Sequence, residues 1–209
     1  MKIALINASP KKTESASGAL LDELKRMFPA EHNLKEFRMD TPSITEDEIK
    51  ELKTFPVWVF AFPLYVDGVP SHVLSCLCMI EKAGIADKDI HVYAIVNCGF
   101  FEGTQTRHSF AIMENWCRKS SLTWGMGVGY GCGGGILSVR NIPLGKGPKA
   151  SLGKAYAVFV DAILSLTSKE NFYASFSFPR FLYKITGEMG WRRLIKANGG
   201  NPKDLDKKL

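Results

Sequence analysis

Five apolar runs of strand length alternate along this chain with segments whose apolar positions recur every three or four residues. Lys2-Ile3-Ala4-Leu5-Ile6 opens the series, and the segment after it repeats Leu20, Leu21, Leu24, Met27 and Phe28 on one helical face. Asn33–Met39 reads as a weaker, partly polar strand, and Thr45–Lys53 as a short helix in which Thr45 and Glu48 have capping-box spacing. Val57-Trp58-Val59-Phe60-Ala61-Phe62 is apolar throughout, the pattern of a central parallel strand covered on both faces. A helix with Val69, Val73, Cys76, Leu77 and Ile80 on one stripe follows, then a strand over Ile90–Val96 and a helix from about Thr106 to Lys119 that buries Phe110, Met113, Trp116 and Cys117. Leu122–Gly135 is a glycine-rich strand or loop, Pro143–Pro148 looks disordered, and Leu152–Leu166 is the last regular helix.

This alternation predicts an α/β chain with right-handed β-α-β crossovers: a flavodoxin-like, doubly wound, five-stranded parallel sheet of order 2-1-3-4-5. That order gathers the loops after strands 1, 3 and 4 at the carboxyl edge of the sheet, where open α/β sheets bind ligands. Residues 1–168 form this domain. Residues 169–209 form a basic, aromatic, helical extension, packed on the domain or on a partner subunit.

Composition narrows the classes. With 209 residues and 45% hydrophobic content the chain can bury one good core. The formal charge is +6, yet from Asn171 to the end 8 basic residues (Arg180, Lys184, Arg192, Arg193, Lys196, Lys203, Lys207, Lys208) against 3 acids contribute +5 of it. The nearly neutral body excludes a nucleic-acid-binding reading of the whole fold. Five cysteines without a C-x-x-C pair suit reduced thiols, the apolar run after Lys2 stops at Asn7, and no segment is long and apolar enough to span a bilayer, so a cytoplasmic protein is expected.

Three loops carry the candidate chemistry. The first is Asn7-Ala8-Ser9-Pro10-Lys11-Lys12-Thr13-Glu14-Ser15-Ala16-Ser17, between strand and helix. Free N–H groups at a helix start and the helix dipole favour an anion there, and the hydroxyls of Ser9, Ser15 and Ser17 add donors; an ordinary loop capped by Ser15 or Ser17 has the same pattern. The second loop is Pro63-Leu64-Tyr65-Val66-Asp67-Gly68-Val69-Pro70, and the third is Asn97-Cys98-Gly99-Phe100-Phe101-Glu102-Gly103.

With these loops in this order, residues 1 to about 165 resemble the flavodoxin-like NAD(P)H-dependent FMN reductases and oxidoreductases. The resemblance implies that Ser9, Pro10 and Lys11, with Ser15, Ala16 and Ser17 at the helix start, hold the FMN phosphate. It implies that Pro63, Leu64, Tyr65 and Val66 lie along the isoalloxazine and ribityl chain, and that Asn97, Cys98, Gly99 and Phe100 border the ring edge. It further implies NADH or NADPH as electron donor, a small-molecule acceptor such as a quinone or a flavin, and a homodimer. No catalytic acid–base residue is required of the protein, and none is nominated. Glu14 departs from the family pattern and must turn away from the phosphate; Ala16 lacks a hydroxyl that relatives often carry. Two rivals share the fold: a non-enzymatic electron carrier, and a binding or regulatory domain without flavin.

Other signals are set aside. Gly129-Tyr130-Gly131-Cys132-Gly133-Gly134 satisfies G-x-G-x-x-G, but no helix pattern follows it, so it reads as a glycine-rich loop bordering the pocket. Ser9-Pro10-Lys11-Lys12 fits S-x-x-K without a K-T-G partner. His72 and Cys76 lack further clustered ligands, so no metal site is expected, and His108 reads as a capping or exposed residue. Cys98 reads as a small residue that allows close approach. In the extension, Gly187, Gly190 and Gly199-Gly200 are expected to interrupt a long helix, which favours a packed layer or dimer arm and leaves a membrane only weak peripheral contact.

Overall fold

A strand whose consecutive side chains are all apolar must be covered on both faces, and Val57–Pro63 shows how. The computed structural model of the chain describes residues 1–85 and 89–206, so Lys207 and Lys208 of the basic tail lie outside the described residues. Its strands are β1 (Lys2–Asn7), β2 (Asn33–Arg38), β3 (Val57–Pro63), β4 (His91–Asn97), β5 (Thr123–Tyr130) and β6 (Phe172–Ala174). Between and after them run α1 (Ala16–Lys25), α2 (Glu46–Leu52), α3 (Ser71–Lys82), α4 (Arg107–Lys119), α5 (Ala150–Leu164) and α6 (Arg180–Ala197). The sheet order is β2-β1-β3-β4-β5-β6 and every pairing is parallel. This is the flavodoxin-like doubly wound order with one strand added at the edge.

On one side of β3, Trp58, Phe60 and Phe62 pack with Val73, Leu77 and Ile80 of α3 and Phe110, Met113 and Trp116 of α4. On the other, Val57, Val59 and Ala61 meet Leu20 and Leu24 of α1 and Tyr156, Phe159 and Ile163 of α5. The period-two alternation of one apolar strand thus supplies two cores. The capping box forms as its spacing predicts: Thr45 accepts from the Glu48 N–H while the Glu48 carboxylate accepts from the Thr45 N–H at 2.8 Å.

Three sequence expectations change, and one open alternative is settled. The sheet has six strands rather than five, because Phe172-Tyr173-Ala174 pairs with Val128–Tyr130; three residues are too few to show a periodic pattern. Of the two readings open for the glycine-rich segment, strand or loop, the strand holds over Thr123–Tyr130 as β5. A Cβ at Gly125 would lie 2.2 Å from the Tyr93 ring and one at Gly127 2.4 Å from the Phe110 ring, so aromatic side chains from outside the strand fill the volume its own residues leave. Pro143–Pro148 is an ordered turn rather than a disordered tract. Lys149 closes it: fully buried, its Nζ donates to Glu23 Oε1 at 2.7 Å and to the Arg140 carbonyl at 3.3 Å.

The last change concerns the extension. The chain divides into two compact units, Met1–Phe176 and Ser177–Leu209, and the first holds all six strands. In the second, α6 runs unbroken for 18 residues through Gly187 and Gly190. Each glycine costs a helix interior about 1 kcal/mol, which the straight-chain formers around it offset.

Candidate functional site

The parallel order brings the carboxyl ends of β1, β3 and β4 side by side, and the three loops that leave them are joined by hydrogen bonds. Ser17 Oγ, in the first turn of α1, donates to Asn97 Oδ1 at 2.8 Å in a buried contact between the first and third loops. The Leu64 N–H donates to the Asn97 carbonyl at 2.7 Å and joins the second. The Cys98 N–H donates to the Tyr130 carbonyl, and the Gly133 N–H to the Cys98 carbonyl at 2.8 Å, which brings in the glycine-rich segment after β5.

These loops enclose a cleft of about 190 Å³. Ser9, Lys11, Ala16 and Ser17 line it from the first loop, Pro63, Leu64 and Tyr65 from the second, and Asn97, Cys98 and Gly99 from the third. Gly134 lines it as well. The sequence places that glycine in a loop bordering the pocket, and the bonds from Gly133 to the Cys98 carbonyl and from Cys132 to the Phe100 carbonyl hold the loop against the third one. A wider, mostly apolar space of about 590 Å³ adjoins across Tyr65 and is walled by Pro10, Val66, Val69, Leu74, His72 and Ile112 among others.

Four expected residues stand apart from the cleft, Pro10 among them in the wall of the adjoining space. Ser15 is the N-cap of α1: its Oγ accepts from the Gly18 N–H at 3.0 Å, which ties the side chain to the helix start, and it does not line the cleft. Val66 is fully exposed at the tip of a tight turn in which Tyr65 and Gly68 exchange backbone hydrogen bonds. Val66 and Asp67 both have left-handed backbones, φ 47° and 55°, a conformation unfavourable for a β-branched residue. Phe100 is 51% exposed and does not line the cleft; its carbonyl accepts from the Cys132 N–H at 2.6 Å. His72 and Cys76, the apparent metal pair, are separately engaged: His72 Nε2 meets the Ala8 carbonyl at 3.1 Å and Cys76 Sγ the Thr41 carbonyl.

The first loop is folded by its own polar atoms. Asn7 Oδ1 accepts from the Ser9 N–H at 3.2 Å and Ser9 Oγ from the Lys11 N–H at 3.3 Å. Ser17 spends its hydroxyl proton on Asn97, so what the loop offers an anion is the Lys11 ammonium, the Ser9 hydroxyl and the amides of Ala16 and Ser17 at the start of α1. Glu14 does not line the cleft. Its side chain is 79% exposed and its carboxylate lies 3.4 Å from the Arg140 guanidinium.

The donor set fits a flavin phosphate, and two glycines add to the case. An added Cβ at Gly99 or Gly134 would meet nothing within 4 Å, and neither has a positive φ, so the protein's own packing demands glycine at neither position. Both line the cleft, where a bare backbone leaves room for a ligand. Burial pushes the Cys98 thiol up to about 11, so at neutral pH it is a neutral, small wall residue rather than a thiolate.

No family model matches the chain, and no curated protein matches it. Among solved structures it is similar to the Trp repressor binding protein from Bacillus subtilis, at 14% identity and a TM-score of 0.49, over 68% of this chain and 97% of that one. It is similar to an NADPH-quinone reductase from P. pentosaceus at 12% identity and a TM-score of 0.49, over 67% and 95% of the two chains. An FMN-dependent NADH-azoreductase from Bacillus anthracis str. Ames Ancestor, solved in complex with FMN, shares 12% identity at a TM-score of 0.46, over 76% and 99%. The flavodoxin-like fold of this chain rests on its own strand order and parallel pairings.

Proposed function

We propose that the chain is an FMN-binding oxidoreductase that takes electrons from NADH or NADPH and passes them to a small acceptor. The observation that carries this reading is the convergence of ten expected residues from three separated loops on one cleft at the carboxyl edge of the sheet. That cleft has a cationic, amide-rich end at Lys11 and the start of α1, and an apolar wall at Pro63, Leu64 and Tyr65. A flavin mononucleotide requires this pair of environments, an anion site and a flat slot.

When bound, FMN supplies the chemistry, accepting hydride and returning electrons. The chain's residues bind and orient. Lys11 and the α1 amides offset phosphate charge. Pro63, Leu64 and Tyr65 exclude water from one side, and the bare backbone at Gly99 and Gly134 permits close approach. Asn97, held by Ser17, fixes the spacing of the first and third loops. No proton transfer by a side chain is needed, and the neutral Cys98 thiol takes no nucleophilic part.

Titration of FMN fluorescence with the purified chain tests binding, and NADH or NADPH oxidation by the FMN-loaded chain tests turnover. Quenching that saturates at one FMN per chain, with turnover on a quinone or flavin acceptor, is expected. A colourless protein that leaves FMN fluorescence unchanged overturns the reading, and binding without turnover reduces it to an electron carrier.

A further inference from the structure

The second unit contains a helix whose exposed side chains are mostly cationic or large and apolar. Five of the 18 residues of α6 are cations and one, Glu188, is an acid. Lys184, Arg192, Arg193 and Lys196 have no carboxylate within ion-pair distance among the described side chains. None of the helix's residues is buried, and Phe181, Ile185, Met189, Trp191 and Leu194 are large apolar groups each about half exposed or more.

Their placement has a pattern. At about 100° per residue, Phe181, Ile185 and Met189 follow one another along a single stripe, which Arg192 and Lys196 continue toward the C-terminal end. Glu188, then Lys184 and Trp191, flank that stripe on one side and Arg193 on the other, so two cations and a tryptophan outweigh the one acid at its border; Gly187, Gly190 and Leu194 occupy the far face. The long stems of Arg192 and Lys196 can lie along hydrocarbon while their charges rise to headgroup level, and a flanking tryptophan suits the same depth.

We infer that α6 is a docking surface for an anionic phospholipid bilayer. Charge complementarity and the apolar stripe together select this occupant. Pairing α6 with itself would bring two strongly cationic helices together. Nucleic acid would match the cations but give phenylalanine, isoleucine and methionine side chains on one stripe nothing to dissolve in. A bilayer carrying acidic headgroups serves both, the stripe entering the acyl boundary and the cations remaining with the phosphates. The unbroken run through Gly187 and Gly190 is what makes the stripe continuous.

The test is flotation of the full chain with vesicles of phosphatidylcholine, alone or with roughly a third phosphatidylserine. Binding is expected to the acidic vesicles only and to be lost at high salt. Arg192→Ala/Arg193→Ala should weaken it about 25-fold, at about fivefold per cation, and Phe181→Ala should weaken it at unchanged salt dependence; helix content by circular dichroism confirms that both variants fold. No binding to acidic vesicles overturns the inference, as does equal binding to both compositions. A concentration-dependent dimer that Phe181→Ala disperses, or a basic-residue-dependent shift of RNA or DNA in a gel, would assign the surface to another partner and overturn it as well. FMN titration is read separately on the same preparations, so failure at the membrane and failure at the flavin site are distinguishable.

Discussion

Replacing Gly99 and Gly134 by alanine separates a ligand cleft from an ordinary loop. A Cβ at either position meets nothing within 4 Å and neither backbone has a positive φ. Alanine is therefore conformationally allowed at both, and the substitution acts through the unfolded chain, whose entropy it lowers. The expected change is a stabilisation of about 0.4–1 kcal/mol for each variant. For a chain of this size that raises the melting midpoint by roughly 1–4 °C. In the complex the added methyl occupies space that the ligand needs, and crowding of this kind costs about 1–3 kcal/mol, which weakens FMN binding roughly 5- to 150-fold. Gly129→Ala and Gly131→Ala are the contrast: their Cβ atoms would lie 2.2 Å from Thr106 Oγ1 and 2.1 Å from the Phe101 carbonyl oxygen, so both should lose stability. Thermal unfolding of the apo variants and FMN fluorescence titration give the two readouts. Gly99→Ala and Gly134→Ala that are stable and bind FMN as the parent does would refute the assignment of this cleft to the flavin.

Further outcomes follow from single contacts. Val66→Gly relieves a left-handed β-branched residue at an exposed tip and should stabilise the chain by about 1 kcal/mol, measured by urea denaturation. Glu23→Gln leaves the Lys149 ammonium buried without its counter-charge and should cost about 3–5 kcal/mol, whereas Glu23→Leu/Lys149→Met should recover most of the loss. Alkylation of Cys98 by iodoacetamide, followed by peptide mass spectrometry, should trail that of the exposed Cys78; because burial raises the Cys98 thiol to about 11 and the thiolate is the reactive form, its rate should keep climbing with pH toward 11. Glu14→Gln should change FMN affinity less than about fivefold, since an exposed ion pair with Arg140 is worth at most about 1 kcal/mol and the carboxylate does not line the cleft; a tenfold gain would show that it faces the phosphate.

The parts of this protein legible in the sequence are those encoded by neighbours along the chain. The unbroken apolar run of β3 announces a strand covered on both faces, the stripes of α1, α3 and α4 announce helices, and Thr45 with Glu48 announces a cap, because each depends on residues within one turn or one strand. The strand order that makes neighbours of the first, third and fourth strands follows from the same alternation under crossover rules, so the three loops could be named before any coordinate was known.

Tertiary structure decided whatever depends on partners far apart in sequence. Lys149 orders the preceding turn through Glu23, and Glu14 turns to Arg140, each across 126 residues. β5 is a strand because rings from β4 and α4 fill the space its glycines leave, and Gly134 reaches the cleft because Gly133 bonds to Cys98. The chemical character of a loop is local and can be read from its residues, whereas the direction of a side chain is settled by whichever distant charge, ring or carbonyl the fold places against it.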